Sequence, residues 1–333
     1  MKQNTTKNKY KRRGIHPVLK VCLICLLALL LLIGYFYYQY SKQHLRLKQP
    51  FQVNFSTDHH ALESMGQNIA LAPAEDIITN KTDMSGVTSF IQINLQNKEV
   101  TAAKAAEKPL DVDGLQKLMV LLLALENASD RLEETVTLEA SDVSVTADEP
   151  AAGFHAGDVL SLRDLLLSMS VYDGNDAAKA VARHLAGSEA KFVQLMNDRA
   201  KKLGLSHTTF NNVHGGGKTG QATTAYDLYL IFEACLKTKG LMSFLGLESA
   251  PIPFTRNGQP NGITFYNRVL YLQGQKTVPA GKKILAAKSG ASVEHGQSLL
   301  LYWQDDKQQP HLTILLQCGD RDRLYQHTDA LLK

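Results

Sequence analysis

Lys117 is the first side chain of this 333-residue protein whose setting suggests catalytic chemistry. It lies one turn into an apolar helical run that opens with Asp113-Gly114-Leu115-Gln116. Residues three apart lie on the same face of a helix, so a side chain at position 114 would be a neighbour of the Lys117 amine. A serine there could be activated as a nucleophile by that amine. Position 114 is glycine, however, and has no side chain.

Two further elements carry polar groups in comparable settings. Tyr172-Asp173-Gly174-Asn175-Asp176 is predicted to form a turn that leads into a helix, and Lys288-Ser289-Gly290 stands at the end of a predicted strand. Taken singly, Lys117 would be a solvated helix lysine, Asp173-Gly174 a turn and Lys288-Ser289-Gly290 a loop. Only their joint order along the chain is informative.

That order resembles the three-part signature of penicillin-binding proteins and serine β-lactamases: Ser-x-x-Lys on a helix, Ser-x-Asn on a turn and Lys-Thr-Gly on a strand. Longer strings are similar to the low-molecular-weight D-alanyl-D-alanine carboxypeptidases, and the resemblance covers roughly residues 86–332. The strings that carry it lie at 118–119, 123–127, 157–166, 174–178, 202–205, 210, 214–215 and 224–228.

The resemblance implies a role for each matching position. In the family, the first-motif serine attacks the peptide carbonyl between two D-alanines, and the helix lysine helps to deprotonate it. The second-motif serine and asparagine move protons and orient the substrate, while the strand Lys-Thr-Gly binds the terminal carboxylate. Two of these hydroxyls are missing here, because Gly114 replaces the nucleophile and Asp173 the second serine. The positions retained are Lys117 and Asn175 as catalytic residues, and Lys288, Ser289 and Gly290 as substrate-binding residues, with Ser289 a mild change from threonine.

These departures predict a pseudoenzyme, since loss of the nucleophile of a serine hydrolase costs on the order of a million-fold in turnover. Two lysines that converge in a cleft repel each other, so we also predict an ion pair from Asp173 to Lys117, to Lys288 or to both. Asp113 with Gln116 fits a capping box, which would let the helix begin normally without a serine.

Three classes of function remain open. The first is a pseudoenzyme that still recognises peptidoglycan stem peptides or scaffolds cell-wall enzymes. The second is an active carboxypeptidase that uses an unrecognised nucleophile. The third is a structural or interaction protein whose cleft is closed.

Hydrophobic periodicity places these motifs in an α/β (α+β) fold of the β-lactamase and DD-peptidase type. Strands are predicted at 88–94 and 99–103, then a mostly helical region from Leu115 to about Leu245, then strands at 283–287, 297–304 and 312–317 and a final helix at 322–332. This order implies a five-stranded antiparallel sheet, flanked by helices and a helical subdomain, that closes by bringing the chain ends together.

The N-terminal segment accounts for the positive net charge. Ten of the 36 Lys and Arg residues lie within residues 1–48, whereas all 32 acidic residues follow residue 57, so the charge of +4 does not indicate nucleic-acid binding. The apolar stretch Val18 to Phe36 predicts one N-terminal transmembrane helix with its N-terminus in the cytoplasm, and a cleaved signal peptide is the alternative. We therefore expect a basic cytoplasmic tail (1–17), a membrane anchor (18–40), a stalk (41–84) and an extracytoplasmic domain (85–333) at the cell membrane.

The remaining motifs predict no cofactor and no metal site. The eleven histidines show no metal-ligand spacing. Lys218-Thr219-Gly220 spells the third motif in a glycine-rich loop, and Ser188 to Lys191 spells the first motif but is more simply a helix cap with a solvated lysine. Cys235 and Cys318 could form a disulfide or remain buried thiols, and we favour thiols.

Overall fold

The structure is a computed structural model, and it describes residues 35, 76–77, 83–216 and 220–333. The predicted membrane anchor, most of the predicted stalk, and Lys218 and Thr219 lie outside these residues. Among the residues described, no helix is both long enough and apolar enough to cross a lipid bilayer. The elements follow in this order: β1 Val87–Asn94, β2 Glu99–Lys104, a 3₁₀ turn Asp113–Gln116, α1 Lys117–Ala128, β3 Thr135–Thr137, β4 Val159–Ser161, α2 Leu162–Leu167, a π-helical turn Ser168–Tyr172, α3 Asn175–Ala186, α4 Glu189–Leu203, α5 Ala225–Lys237, α6 Met242–Leu245, β5 Ser249–Arg256, β6 Gln259–Tyr266, β7 Lys283–Ser292, β8 Gly296–Gln304, β9 Pro310–Cys318 and α7 Arg321–Leu331.

The predicted five-stranded antiparallel sheet is confirmed, with strand order β2-β1-β9-β8-β7. Strand β1 pairs with β9 from Val87 opposite Cys318 to Asn94 opposite His311, so the two ends of the domain meet in the sheet as expected. Helix α7 packs on one face of this sheet, whereas α5 packs against β1 and β9 within the larger apolar core. Strand β7, which carries Lys288, Ser289 and Gly290, forms one edge.

Helix α1 lies at the centre of the larger core. Ten of its twelve residues are buried, Lys117 among them, and it packs against α3, α4 and α5. A helix that is apolar on all sides can be stable only when it is surrounded by other elements. The lysine at its first position is therefore carried into the interior instead of into solvent.

A second, four-stranded sheet corrects the sequence analysis, which assigned a mostly helical region and no strand between 104 and 282. Its order is β3-β4-β5-β6. Strands β5 and β6 form a hairpin whose turn, Asn257-Gly258, has φ values of 52° and 74°, as the mirror-image turns of hairpins require. Pro251 and Pro253 weaken the strand signal, but they lie in the half of β5 that β4 does not reach, because β4 pairs with β5 only at Val159 and Thr255.

The start of α1 also differs from the prediction, and the capping box is wrong. The first turn is 3₁₀, no side chain caps it, and Asp113 has a φ of 48°. Gln116 is buried and donates from Nε2 to the backbone O of Asn212 at 2.9 Å and to its Oδ1 at 2.7 Å. The Gln116 amide therefore bonds to the loop that holds Asn212 and not to the start of the helix.

Two smaller predictions are confirmed. Cys235 and Cys318 are buried free thiols. Ser188 caps α4 by accepting a hydrogen bond from the backbone N of Lys191 at 3.3 Å, and Lys191 is exposed.

Candidate active site

The fold brings Gly114, Lys117, Asp173 and Lys288 together at one point. Asp173 Oδ1 accepts hydrogen bonds from Lys117 Nζ at 3.0 Å and from Lys288 Nζ at 2.5 Å. The three side chains are 4%, 1% and 3% exposed, respectively, so water screens these ion pairs very little. The predicted ion pair of Asp173 is confirmed, and it reaches both lysines.

The turn at the end of the π-helical segment places Asp173. Its φ of 75° and ψ of 25° are in the left-handed region, which aspartate tolerates better than most residues. Neighbouring backbone bonds fix the turn: Gly174 N donates to Ser168 O at 3.3 Å, and Asn175 N donates to Pro150 O at 2.8 Å. The carboxylate is thereby directed to the two lysines.

The Asp173 carboxylate occupies the space that a side chain at position 114 would need. A Cβ built on Gly114 would lie 2.4 Å from Asp173 Oδ2 and 2.6 Å from Oδ1. Real Cβ atoms do not approach other heavy atoms so closely. Any side chain at position 114 therefore competes with the Asp173 carboxylate for one volume.

The charges of this buried triad follow from two opposing effects. Burial disfavours the ionised form of Asp173, but the ammonium groups of Lys117 and Lys288 outweigh burial and hold the pKa of the carboxyl below its usual range. For Lys288, burial is the largest effect and lowers its pKa to about 8, although Asp173 opposes the change. The Asp173 carboxylate is therefore ionised at neutral pH.

Gly290 allows β7 to lie against the start of α1. A Cβ at position 290 would come within 2.7 Å of the backbone O of Val112 and 3.0 Å of the backbone N of Gly114. These are backbone atoms that cannot rotate away. The missing side chain thus sets the close approach that brings Lys288 to Asp173.

Asn175 lies beside the triad but does not bond to it. Its Nδ2 lies 3.3 Å from Glu149 Oε2 and 3.3 Å from His214 Nδ1, and its Oδ1 has no hydrogen-bond partner. Burial, together with repulsion from Lys117 and Lys179, lowers the pKa of His214 to about 4, so the ring is neutral at pH 7. The backbone N of Gly216 donates to His214 Nδ1 at 3.1 Å.

Two cavities meet at Asp173 and Ala291. One, of about 450 Å³, borders Gly114 and Asn175 and contains the carboxylates of Asp113, Asp148 and Glu149. The other, of about 650 Å³, is lined by Ser289, Arg268 and Arg321 and by residues 263–266 of β6. Carboxylates predominate among the charged groups that line the smaller cavity, whereas the larger cavity is also lined by two guanidinium groups.

The sequence analysis assigned no role to several residues of this region. Asp176 accepts backbone bonds from Ala152, Gly153 and Phe154 at 2.8, 3.0 and 3.3 Å, and so anchors that loop beside the site. Glu149, Arg268 and Arg321 come from loops and from the start of α7, and no motif marks them. In the sequence, His214 stands out only as part of the string 214–215, which is similar to the carboxypeptidase family.

One three-residue group has spacing that could suit a metal ion. Oxygen atoms of Asp111 and Asp113 and a ring nitrogen of His295 lie within 4.8 Å of one another, and His295 Nδ1 is 3.5 Å from Asp113 Oδ1. The residues come from two distant segments, so no sequence spacing predicts them. Burial and the neighbouring Asp111 raise the pKa of Asp113.

Comparison with known proteins gives consistent matches. The model of the D-alanyl-D-alanine carboxypeptidase family, peptidase family S11, matches residues 78–289. The D-alanyl-D-alanine carboxypeptidase DacC of Escherichia coli is 35% identical over 156 residues, which is 44% of this chain and 39% of DacC. DacF of Bacillus subtilis is 27% identical over 159 residues, 47% of this chain and 41% of DacF. The matched region thus spans about two fifths of the length of these relatives.

Solved structures agree on the fold. A variant of a Streptomyces DD-transpeptidase has a TM-score of 0.67 and 21% identity over 74% of this chain and 96% of that one. A D-alanyl-D-alanine carboxypeptidase of Mycobacterium tuberculosis has a TM-score of 0.63 and 21% identity, over 74% and 89% of the two chains. Since the family model alone covers well over half of the 333 residues, this chain belongs to the D-alanyl-D-alanine carboxypeptidase family.

Proposed function

We propose that this protein is a non-hydrolytic member of its family that binds peptides ending in D-Ala-D-Ala, such as the stem peptides of peptidoglycan. One observation carries the proposal: the Asp173 carboxylate fills the volume of the missing Gly114 side chain and pairs with both lysines. Lys117, which would activate a nucleophile, is thereby held in an internal ion pair, and position 114, which would carry the nucleophile, has no free volume.

The environment of Lys117 argues against a substitute nucleophile. A hydroxyl can be activated by an amine only within hydrogen-bond reach of it. In the described part of the chain, the hydrogen bond of Lys117 Nζ goes to Asp173, and that of Lys288 Nζ goes to Asp173 and to the backbone O of Ser289. No described hydroxyl bonds to either ammonium group, which disfavours the active-enzyme alternative.

The larger cavity supports retained peptide binding. Arg268 and Arg321 supply guanidinium groups, which suit a carboxylate, and Ser289 supplies a hydroxyl beside them. The Arg321 Nη2 group donates to the backbone O of Arg268 at 3.3 Å, and both residues line this cavity. We infer that this cavity receives the terminal carboxylate of the peptide.

Two measurements on the purified full-length chain test the proposal together. Titration with a D-Ala-D-Ala peptide should give saturable binding without release of D-alanine, and fluorescent penicillin should leave no covalent band after denaturing electrophoresis. DacC of Escherichia coli is a suitable reference, run in parallel. Release of D-alanine or a covalent band would refute the loss of hydrolysis, and absence of peptide binding would refute the binding function.

We also propose that residues 18–40 anchor the protein in the cell membrane, with the domain outside. The support is the apolar run that follows a basic N-terminal segment. Extraction of isolated membranes with alkaline carbonate should leave the chain in the pellet. Recovery in the supernatant would contradict an integral anchor.

A further inference from the structure

Strand β6 forms an edge of the four-stranded sheet and borders the larger cavity. It pairs with β5 on one side and with no described strand on the other. Residues 263–266 line the cavity. Ile263 and Tyr266, at 41% and 59% exposure, are two of the five large apolar side chains that are exposed in the described part of the chain. No residue of β6 is charged, although charged side chains commonly protect exposed strand edges.

The register of the β5–β6 hairpin decides which backbone groups of β6 face the open side. Asn257-Gly258 is a two-residue loop, so the pair that closes it, Arg256 with Gln259, is hydrogen-bonded, and so is every second pair beyond it. The bond from Asn267 N to Glu248 O, at 2.8 Å, continues this alternation past the end of the strand. Odd-numbered residues of β6 therefore bond to β5, and even-numbered residues direct their N–H and C=O groups away from it.

The protein itself closes this edge at both ends. Pro260 has no N–H group, and proline is tolerated where the N–H would face away from the sheet. Gly262 N donates to Asn261 Oδ1 at 2.9 Å. At the other end, Arg268 N donates to Val171 O at 3.3 Å, so the π-helical turn takes the place of a neighbouring strand there.

Thr264 and Tyr266 lie between these closed ends. Their outward N–H and C=O groups have no partner among the described residues, and both residues are exposed and line the cavity. An unpaired stretch of this kind is a template for an extended chain, which can add to the sheet through main-chain hydrogen bonds.

We propose that β6 binds an extended peptide as an added strand, through the outward backbone groups of Thr264 and Tyr266. As to the identity of the peptide, this inference rests on the proposed function, in which Arg268 and Arg321 receive the terminal carboxylate. Those guanidinium groups line the same cavity as the open edge, so one peptide can reach both. The edge then holds the peptide backbone upstream of the carboxylate, whatever side chains that backbone carries.

Hydrogen exchange of the full-length chain, followed by NMR, tests the inference. The ligand is acetyl-L-Ala-L-Ala-D-Ala-D-Ala at about ten times its Kd, which should slow exchange of the Thr264 and Tyr266 amides roughly tenfold. The amides of Ile263 and Phe265 are the control, because they already bond to β5 and should change little. Saturable binding that leaves Thr264 and Tyr266 unprotected would overturn the proposal.

A pair of variants at position 264 separates the backbone from the side chain. Thr264→Pro removes an N–H that β5 does not use, whereas Thr264→Ala removes only side-chain atoms and keeps that donor. The affinity of Thr264→Pro for the peptide should be roughly tenfold lower than that of Thr264→Ala, with urea unfolding showing that both are folded. Equal affinity of the two folded variants would contradict strand addition.

An all-L peptide separates failure of this inference from failure of the proposed function. If the D-Ala-D-Ala peptide does not bind, the proposed function is refuted, and the free acid of acetyl-Thr-Val-Thr-Val tests the edge by itself. Slowed exchange of Thr264 and Tyr266 with this peptide would support strand addition at β6. Unchanged exchange with both peptides would overturn it.

Discussion

Replacement of Gly114 by alanine tests the spatial exclusion between position 114 and Asp173. The new Cβ would lie 2.4 and 2.6 Å from the two carboxylate oxygens, so the carboxylate must withdraw from at least one lysine. Removing one partner of a buried ion pair costs about 3–5 kcal/mol. Because the displaced carboxylate keeps part of its pairing, we expect Gly114→Ala to lower the free energy of unfolding by about 3 kcal/mol, the lower end of that range.

The assay is urea unfolding of the purified full-length chain, with two comparisons. Gly319→Ala is the control, because a Cβ there meets nothing within 4 Å, and its effect should stay within about 0.5 kcal/mol. In an Asp173→Gly background, where glycine accepts the φ of 75°, Gly114→Ala should cost close to nothing. The two sites should therefore show a coupling energy of about 3 kcal/mol. The same cost for Gly114→Ala with and without Asp173 would refute the reasoning.

Three further predictions follow from the same region. Gly114→Ser alone should give no covalent band with fluorescent penicillin, whereas Gly114→Ser combined with Asp173→Ser should give one. The reason is that only the change at position 173 frees the volume beside position 114 and releases Lys117 from its ion pair. Equal labelling by the single variant would contradict this prediction. The pKa of Lys288 is lowered to about 8 from 10.5, so the unfolded chain binds more protons than the folded chain between these pH values. The free energy of unfolding of the wild type, relative to that of Lys288→Met, should therefore rise by up to about 3 kcal/mol from pH 8 to pH 10.5. A flat difference between the two proteins across that range would rule out the lowered pKa. Gly290→Ala should destabilise the protein by about 2 kcal/mol, because its Cβ would meet fixed backbone atoms. Gly262→Ala, whose Cβ would have its nearest atom at 3.6 Å, should be nearly neutral in the same denaturation assay. Similar effects of the two changes would argue against close packing of β7 on α1.

The parts of the fold that sequence predicted are those with long, unbroken periodicity. The all-apolar run of α1 and the strands that became β1, β8 and β9 follow from hydrophobic patterning alone. The second sheet did not, because β3 and β4 are three residues each and proline weakens the signal of β5. The Asn257-Gly258 pair, a typical hairpin turn, is a sequence signal that could have indicated its hairpin.

Only part of the candidate site could likewise be predicted from the sequence. The ion pairs of Asp173 could be predicted, because two lysines that converge in a cleft repel each other and an adjacent carboxylate reduces that repulsion. The overlap of that carboxylate with the volume at position 114 could not, since it depends on a left-handed turn and on distances between separate segments. Glu149, Arg268 and Arg321 could not be predicted either, because loops place them and no local pattern marks them.

The competition between Asp173 and any side chain at position 114 also constrains the evolutionary history of this cleft. In a lineage that began with a serine at 114, an aspartate at 173 would have met an occupied volume, so the change to glycine came first or in the same step. With an aspartate between the two lysines, a return to serine at position 114 alone would lower the stability of the fold. A serine at position 114 or at position 173 alone would disturb the buried ion pairs, so a chain with both serines is reached through a less stable intermediate.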